Sequence, residues 1–320
     1  MALPLDNRQI EDIASTTVDQ RLPTIADNFF TGSPLFVRLR SRHNVVLDGG
    51  DKVRQTLIYQ GLPGGSYGVG DNFDTSRRNI LEQLIFNWKR YYVNITVEGL
   101  EDLQNAGASR VIDLVSTKLD VAELDMIQNV GGDLFGQGGG NLLTGLRAAV
   151  DNGDLVSSYG GITRSSTAAE GKAVRGNVDT TGGVFSLALM NSTMMGTGTG
   201  PAIGREKPDL IVTTQTIFNK WWERSQPSER NSGGEDLRKI GFDTIRFNGA
   251  DVVVDPQVPS GQVYFLNTKF VKLVIHKMRN FTFRGWFNTS NRDERVGQVL
   301  WAGELVVPSP RMQAFVSSVT

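Results

Sequence analysis

The stretch GLPGGSYGVGD, residues 61–71, places five glycines and a proline between two segments that read as extended chain. Both segments, residues 45–60 and 80–97, are rich in β-branched and aromatic residues, which favours strands. Sixteen extended residues cover roughly 50 Å at ~3.3 Å each, whereas a compact body of this length has a radius of gyration of about 20 Å. We therefore predict a long two-stranded hairpin that projects from the body, with its tip at residues 61–73.

A long helix is predicted after the hairpin, with a helical turn at residues 100–105 before it. We place the helix from about Ala108 to Val130, where Gly131 and Gly132 are expected to stop it. At 1.5 Å per residue it would be about 35 Å long. Its apolar face is marked by residues that recur three and four positions apart, namely Ile112, Val115, Leu119, Ala122 and Met126.

Two other segments, the start of the chain and the stretch after the predicted helix, differ in composition from the hairpin and the helix. Residues up to about Phe36 are mixed, with three prolines and one short helical pattern near residues 10–13, which predicts an arm and not a core element. After the helix, fourteen of the 53 residues from 131 to 183 are glycine, which favours turns and loops. A self-sufficient domain rarely carries so long a loop segment, so we expect neighbouring chains to order it.

The sequence of the second half predicts further strands and helices. The predicted fold class of the whole chain is α+β. Residues 184–195 predict a helix, and DLIVTT at residues 209–214 predicts an apolar strand. In the helix that follows, Ile217, Trp221 and Trp222 are expected to point inward. Asn248-Gly249 between apolar runs indicates a tight hairpin.

Composition limits the classes of function. The 33 basic and 34 acidic residues balance, so no global field attracts nucleic acid or an anionic membrane. The chain has no cysteine, which excludes disulfides and thiolate chemistry. It shows neither the pattern of a secretion signal at its start nor an apolar run of the ~20 residues that span a bilayer. These features predict a soluble, cytosolic product without a membrane partner.

Gly64, Ser66 and Gly68 match the pattern of a nucleophile elbow, and His276 follows in the order used by serine hydrolases. Such an elbow requires a strand running directly into the serine and a helix directly after it. Neither neighbour of Ser66 has the pattern of regular structure. The sequence therefore favours a flexible tip over a catalytic site.

Other glycine-rich and acidic motifs also favour turns over ligand sites. Phosphate-binding loops follow a strand and open a helix. The clusters at residues 136–140 and 196–204 do not have this order of elements. DGGD at residues 48–51 and DNGD at 151–154 lack the number of ligands of a calcium loop. His43 and His276 have no histidine or cysteine near them in sequence, so we predict no metal site and no cofactor.

Residues 269–295 combine cations with aromatic rings, as proteins that bind single-stranded nucleic acid do. Within them FTFRGWF alternates, which favours an ordinary strand with Phe281, Phe283 and Phe287 on one face and Arg284 and Trp286 on the other. Any contact of such a strand with DNA would be nonspecific and sensitive to salt. The basic residues of the region are Lys269, Lys272, Lys277, Arg279, Arg284, Arg292 and Arg295.

The order of these parts resembles that of the major capsid proteins of tailed bacteriophages. The segments that carry the resemblance are TVEGLEDLQNAGASRVIDLVSTKLDVAELDMIQNVGGDLFG, GLRAAVDNGDLVSSYGGITR and VVVDPQVPSGQVYFLNTKFVKLVIHKM. It implies the fold shared with herpesvirus shells and bacterial encapsulins. The implied parts are an N-terminal arm (1–44), an extended loop (45–97), a peripheral domain with a spine helix (98–135), an axial domain with a loop-rich insertion (136–290) and terminal strands that return to the peripheral domain (291–320).

The resemblance also implies a function and partners. The chain would assemble with itself into hexamers and pentamers of an icosahedral virion shell around double-stranded DNA, first in the host cytoplasm, with scaffold, portal and decoration proteins as further partners. The extended loop would lie over an adjacent subunit, where Leu62, Tyr67 and Phe73 would anchor its tip. The alternatives are an encapsulin-like nanocompartment and, in another class, a serine hydrolase using Ser66 and His276. The resemblance implies no catalytic, metal or cofactor site.

Overall fold

The computed structural model describes residues 32–104, 114–164, 167–196, 207–224, 245–289 and 292–320. The predicted helical pattern near residues 10–13, the predicted helix start at Ala108 and most of the glycine cluster at 196–204 lie outside these ranges. The helices are α1 (Pro34–Arg42), α2 (Gly99–Gln104), α3 (Leu114–Asp133), α4 (Leu146–Ala149), α5 (Ala169–Ala173), α6 (Leu187–Met195) and α7 (Gln215–Arg224). Short 3-10 turns follow at η1 (Thr268–Phe270), η2 (Lys277–Arg279) and η3 (Pro310–Met312).

The strands form two larger sheets and two small ones, so the α+β class is confirmed. The strands are β1 (Asn44–Leu47), β2 (Val53–Ile58), β3 (Leu81–Phe86), β4 (Lys89–Glu98), β5 (Ser158–Tyr159), β6 (Ile162–Thr163), β7 (Asn177–Asp179), β8 (Leu210–Thr213), β9 (Ile245–Phe247), β10 (Ala250–Val254), β11 (Val263–Leu266), β12 (Lys272–His276), β13 (Thr282–Asn288), β14 (Glu294–Val306) and β15 (Ala314–Val316).

The long strand β14 organises the five-stranded sheet. It pairs antiparallel with β4 over ten residues, from Glu294 opposite Glu98 to Gly303 opposite Lys89. It also pairs with β12 and β13, and β1 runs parallel to β12. Because β14 lies near the end of the chain and β4 near its first third, this sheet joins distant parts of the sequence.

The six-stranded sheet has the order β7-β15-β11-β8-β10-β9, and its strands β15, β11 and β8 are buried on both faces. Neighbouring residues of β8 show this, because Ile211 packs with α6 and α7 while Leu210 and Val212 belong to the main core. Burial on both faces explains why β8 and β11 read as continuous apolar runs without polar alternation. The predicted strand at residues 209–214 and the predicted helix at 184–195 are both present.

Helix α3 lies across β4 and buries Ala122, Met126 and Val130, two of which belong to the predicted apolar face. The prediction that Gly131 and Gly132 stop the helix was wrong, because α3 continues to Asp133. A Cβ atom on Gly131 would lie 3.1 Å from the Ser33 Cβ. The glycine thus permits close packing against the start of α1 and does not act as a helix terminator.

The last part of the predicted arm is a core helix. In α1, Leu35, Phe36 and Leu39 are fully buried. Ser33 caps the helix by accepting the Phe36 N–H at 3.3 Å and donates its hydroxyl proton to the Asp255 carboxylate at 2.6 Å. Serine at the N-cap followed by proline is a helix-start signal, but no local pattern indicates the partner Asp255, more than two hundred residues away.

The paired part of the hairpin is shorter than predicted. Only β2 and β3 pair with each other, from Val53 opposite Phe86 to Ile58 opposite Leu81. The flanking strands β1 and β4 leave the hairpin and join the five-stranded sheet. The breaks fall at residues 48–52, where Gly50 has a φ of 116°, and at residues 87–88.

Sheet membership crosses two of the predicted domain boundaries. Strands β12 and β13 lie in the segment 136–290 that we assigned to the axial domain, yet both pair with β14 in the five-stranded sheet. Of the terminal strands, β14 belongs to the five-stranded sheet and β15 to the six-stranded one. The division into arm, extended loop, peripheral and axial domains stays a prediction.

Two local predictions in the second half had different outcomes. The Asn248-Gly249 hairpin is confirmed, because both residues have positive φ and β9 pairs antiparallel with β10 across them. In α7, Ile217 and Trp221 are buried as predicted, but Trp222 is 38% exposed and Phe218 takes the inward position. Residues 217, 218 and 221 share one helical face, and Trp222 lies a further 100° around the helix.

Two buried side chains within the glycine-rich segment order it, where we expected neighbouring chains to do so. The Asp151 carboxylate accepts three backbone N–H groups, those of Gly153, Leu155 and Val156 at 2.8, 3.2 and 2.9 Å. Burial alone would raise the pKa of Asp151, but these hydrogen bonds and Arg147 lower it. The buried Arg164 guanidinium donates to three carbonyl oxygens, those of Ala149, Val156 and Val174.

Candidate assembly surface

The inner face of the β2–β3 hairpin packs against the body of the subunit. Val53, Leu57, Leu84 and Phe86 are buried there. The β3 backbone also donates a hydrogen bond to the Gly160 carbonyl oxygen at 2.9 Å. A Cβ atom on Gly160 would lie 2.7 Å from Leu84, and the φ of 58° at this residue favours glycine, so the close approach requires a glycine.

The outer face of the same hairpin has no covering element among the described residues. Ile58 and Leu81 are opposite each other in the antiparallel register and are both exposed. Ile85 is also exposed further along this face. Because side chains alternate across a strand, the hairpin buries one apolar set on its own subunit and presents a second one outward.

The tip of the hairpin forms a defined turn. In the loop 59–80, the Asp71 N–H donates to the Gly68 carbonyl at 3.3 Å, and the Asp71 carboxylate accepts the Gly68 N–H at 2.5 Å. Gly70 has a φ of 90°, as the third residue of a type II turn requires. Val69 occupies the apex and is fully exposed.

The three residues predicted to anchor the tip are all exposed, with Leu62 at 71%, Tyr67 at 72% and Phe73 at 67%. Tyr67 and Phe73 are brought together, edge to face, with ring centroids 5.1 Å apart. An aromatic pair of this geometry contributes about 0.5–1.5 kcal/mol beyond its burial. The tip therefore presents an arranged apolar cluster to the outside of the subunit.

Sequence reasoning missed four further apolar residues of this surface. Val69 was detectable, because a single apolar residue between Gly68 and Gly70 is typical of a turn apex. Ile58, Leu81 and Ile85 were not, because both faces of the hairpin contain apolar residues and the sequence does not say which face meets the body.

No protein-family model matches the chain, and none of the curated proteins matches it. Solved structures do match. A chain of the cyanophage A-1(L) capsid has a TM-score of 0.67 at 15% identity, with 95% of this chain and 97% of that one covered. The chain has the tailed-phage capsid fold. At this low identity the similarity establishes the fold alone.

Two other structures with this capsid fold match over nearly the full length. A capsid chain of the native GTA particle has a TM-score of 0.61 at 11% identity, with 99% of this chain and all of that one covered. A chain of the holo-SrpI encapsulin complex from Synechococcus elongatus PCC 7942 has a TM-score of 0.59 at 12% identity, with 100% and 96% covered. The match includes the body and the hairpin together.

The capsid fold places Ser66 in a position unlike that of a nucleophile elbow. The loop 59–80 around it contains neither a helix nor a strand. His276 ends β12, where its Nδ1 accepts the Met278 N–H at 3.1 Å and its ring packs against Trp88. The strand-serine-helix geometry that orients such a nucleophile is thus not formed at Ser66.

The cation-rich region of this capsid fold contains the predicted strand, but its faces differ from the prediction. A bulge interrupts the pairing of β13 with β14 between Phe283 and Trp286, where Gly285 has a φ of 90°. The extra residue turns Trp286 to the side of Phe283, with ring centroids 5.3 Å apart, and leaves Phe287 exposed. The predicted separation of Phe283 from Trp286 was therefore wrong, because a bulge reverses the alternation.

Three side chains of the five-stranded sheet hold the loop 134–145 that follows α3, and we call them the loop clasp. Lys89 Nζ donates to the Gly140 carbonyl oxygen at 2.6 Å. The Tyr91 hydroxyl accepts the Leu143 N–H at 2.8 Å and donates to Asp133 at 2.5 Å. Glu304 Oε1 accepts the Thr144 N–H at 2.8 Å. The clasp fixes the connection between α3 and the glycine-rich segment.

Glu304 is the ionisable member of the loop clasp near neutral pH. It is fully buried, and its Oε2 has no hydrogen-bond partner among the described residues. Burial raises the pKa of Glu304 to about 7, although the N–H groups of Thr144 and Leu305 and the charge of Lys89 favour the ionised form. The loop clasp therefore changes its charge in the physiological pH range.

No helix in the described part of the chain is both long and apolar enough to cross a membrane. The described residues likewise contain no group of three or more histidine and acidic side chains arranged to hold a metal ion.

Proposed function

We propose that this protein is the major structural subunit of an icosahedral shell, built from hexamers and pentamers, that encloses the double-stranded DNA of a tailed bacteriophage. The observation that carries the proposal is the match of almost the whole chain to capsid chains. The exposed apolar surface of the hairpin supports it, because an isolated subunit gains nothing from an ordered apolar tip. The virion would be the final location of the protein, after assembly in the host cytoplasm.

In this proposal the hairpin lies over an adjacent subunit and buries its tip there. Burying a large apolar side chain contributes about 1.5–3 kcal/mol. Tyr67, Val69 and Phe73 together would then supply several kcal/mol at each contact between subunits. The near balance of 33 basic and 34 acidic residues also suits assembly, because copies with a large charge of one sign would repel each other.

The proposal favours a phage shell over a nanocompartment. The cyanophage capsid chain matches with a higher TM-score than the encapsulin chain, 0.67 against 0.59. Scaffold, portal and decoration proteins belong to the phage proposal as partners. The contents of particles from the native source distinguish the two shells, because packaged double-stranded DNA supports the phage and an enclosed enzyme supports the compartment.

Electron microscopy of the purified full-length protein at micromolar concentration tests the proposal. We expect closed particles of uniform size, either from the protein alone or after addition of a candidate scaffold protein. A protein that sediments as a monomer under both conditions and never closes into particles would contradict the proposal.

Changing Tyr67 and Phe73 together to serine tests the role of the tip. We expect closed particles to be lost, because the subunit contact loses both aromatic rings. The free energy of unfolding of the subunit should fall by no more than about 1.5 kcal/mol, the contribution of the aromatic pair, since both side chains are otherwise exposed. Particle yield by sedimentation and subunit stability by urea denaturation are the two measurements.

Ser66→Ala is the matched control in the same loop, and it should assemble like the wild type. Normal particles from the double variant would show that the tip does not anchor subunits. Hydrolase activity in the wild type that disappears in Ser66→Ala would support the serine hydrolase alternative instead.

A further inference from the structure

A cleft of about 860 Å³ lies beside the base of the hairpin loop, where Tyr59 forms part of its wall. Lys172 of α5 and Arg311 of η3 also line it and are exposed. Arg175, which follows α5, is half-buried in the same wall. Two separate segments thus bring three cationic side chains into one concave surface.

The positive charge of the cleft is not balanced by acidic groups. Lys172, Arg175 and Arg311 form no ion pair with any residue in the described ranges. Asp179 is the one carboxylate in the wall, and it already accepts both the N–H and the hydroxyl proton of Thr181, which lower its pKa. One carboxylate against three cations leaves two unbalanced positive charges.

Arg175 is held in place behind the cleft surface. Its guanidinium donates to the Arg164 carbonyl oxygen at 3.1 Å, while its buried Nε has no hydrogen-bond partner in the described structure. Arg147 and Arg164 lie behind it with Asp151 as their shared carboxylate. Burial, together with the charges of Arg147 and Arg175, lowers the pKa of Arg164 to about 10. The fold therefore keeps several cations close together.

Four of the five neutral polar side chains of the wall, all except Tyr59, are already engaged. The hydroxyls of Ser192 and Thr193 both donate to the Leu189 carbonyl oxygen, at 2.9 and 3.0 Å. The side-chain amide of Asn152 donates to Asp154 and that of Asn177 to the Arg311 carbonyl oxygen. The side-chain groups left to recognise a ligand are the three cations and the Tyr59 hydroxyl, so the cleft selects mainly for charge.

We propose that this cleft is a binding site for phosphate groups. Phosphate carries several charge-dense acceptor oxygens, which form strong charge-assisted hydrogen bonds with arginine and lysine. A bound phosphate relieves the repulsion among Lys172, Arg175 and Arg311. The phosphate could come from a free polyanion or from a nucleic-acid backbone, and both present the same group. The inference does not depend on shell assembly, because the whole cleft belongs to one subunit.

Calorimetry with sodium tripolyphosphate and the full-length protein tests the site. We expect binding by the wild type and at least about tenfold weaker binding by Lys172→Ala/Arg311→Ala, which removes two charges from the cleft. Both side chains are exposed, so this variant should keep the wild-type thermal midpoint when the ligand is absent. Tripolyphosphate should also raise the midpoint of the wild type more than that of the variant.

Arg279→Ala/Arg284→Ala is the matched control, because it removes two exposed cations outside the cleft. It should bind tripolyphosphate like the wild type. Equal weakening in both double variants would overturn the proposal, since it indicates attraction to surface charge in general. Absence of binding by the wild type up to millimolar tripolyphosphate would overturn it as well.

Competition with a short DNA duplex identifies the source of the phosphate once binding is established. Displacement of tripolyphosphate by the duplex, with weaker duplex binding in Lys172→Ala/Arg311→Ala than in the control, assigns the site to a nucleic-acid backbone. Retention of tripolyphosphate in excess duplex assigns it to a free polyanion.

Discussion

Replacing Arg164 by methionine is expected to lower the free energy of unfolding by about 3–5 kcal/mol. The side chain is fully buried and donates to three backbone carbonyl oxygens, those of Ala149, Val156 and Val174. Methionine fills much of the same volume but donates no hydrogen bond, so the three acceptors stay buried without partners. Chemical denaturation of the subunit at neutral pH measures the loss.

Lys277→Met is the control for this change, because it also replaces a cation by methionine at an ion pair. Lys277 Nζ lies 3.1 Å from Asp48, but both side chains are mostly exposed. Exposed ion pairs contribute about 0–1 kcal/mol. If Arg164→Met costs no more than Lys277→Met, the glycine-rich segment does not depend on the buried guanidinium.

Changing Glu304 to glutamine is expected to stabilise the subunit at pH 8 by roughly 3 kcal/mol. The pKa of Glu304 is raised in the folded state to about 7, from an ordinary value of 4.5. The protonated carboxyl therefore supports the folded state fully at pH values below about 4.5. That contribution is lost as the pH rises through about 7, because burying the ionised carboxylate is costly.

The measurement is the free energy of unfolding of both proteins between pH 4 and pH 8. The difference between Glu304→Gln and the wild type should grow with pH in this window, because glutamine never ionises. Glu123→Gln is the control, since Glu123 is exposed and pairs with Arg40 at the surface. A difference between Glu304→Gln and the wild type that stays constant with pH would show that Glu304 does not titrate in this range.

Features set by local sequence could be predicted, and they include most elements of the fold. The spacing of Ala122 and Met126 predicted the buried face of α3, and Asn248-Gly249 predicted the turn between β9 and β10. The exposure of Leu62, Tyr67 and Phe73 followed in the same way from a glycine-rich loop between two strands. In each case the decisive contacts lie within a few residues of each other along the chain.

Features set by distant contacts could not be predicted. Helix α1 is anchored by Asp255, and Gly131 near the end of α3 allows the close packing of α3 against Ser33. The buried Glu304 in β14 reads as a surface residue until its distance from Thr144 is known. Sequence periodicity reports which face of an element is buried, but it does not report what lies against that face.

The backbone of the hairpin joins the five-stranded sheet through the short breaks at residues 48–52 and 87–88. Rotation about these two points keeps every ladder hydrogen bond of both sheets, but it separates the buried inner face of the hairpin and its hydrogen bond to Gly160 from the body. A closed surface made from one kind of subunit needs such freedom, because neighbours meet at a sharper angle around a fivefold axis than around a sixfold one. If the proposed shell forms, we expect its local curvature to be accommodated at these two breaks, while the body of each subunit keeps one shape.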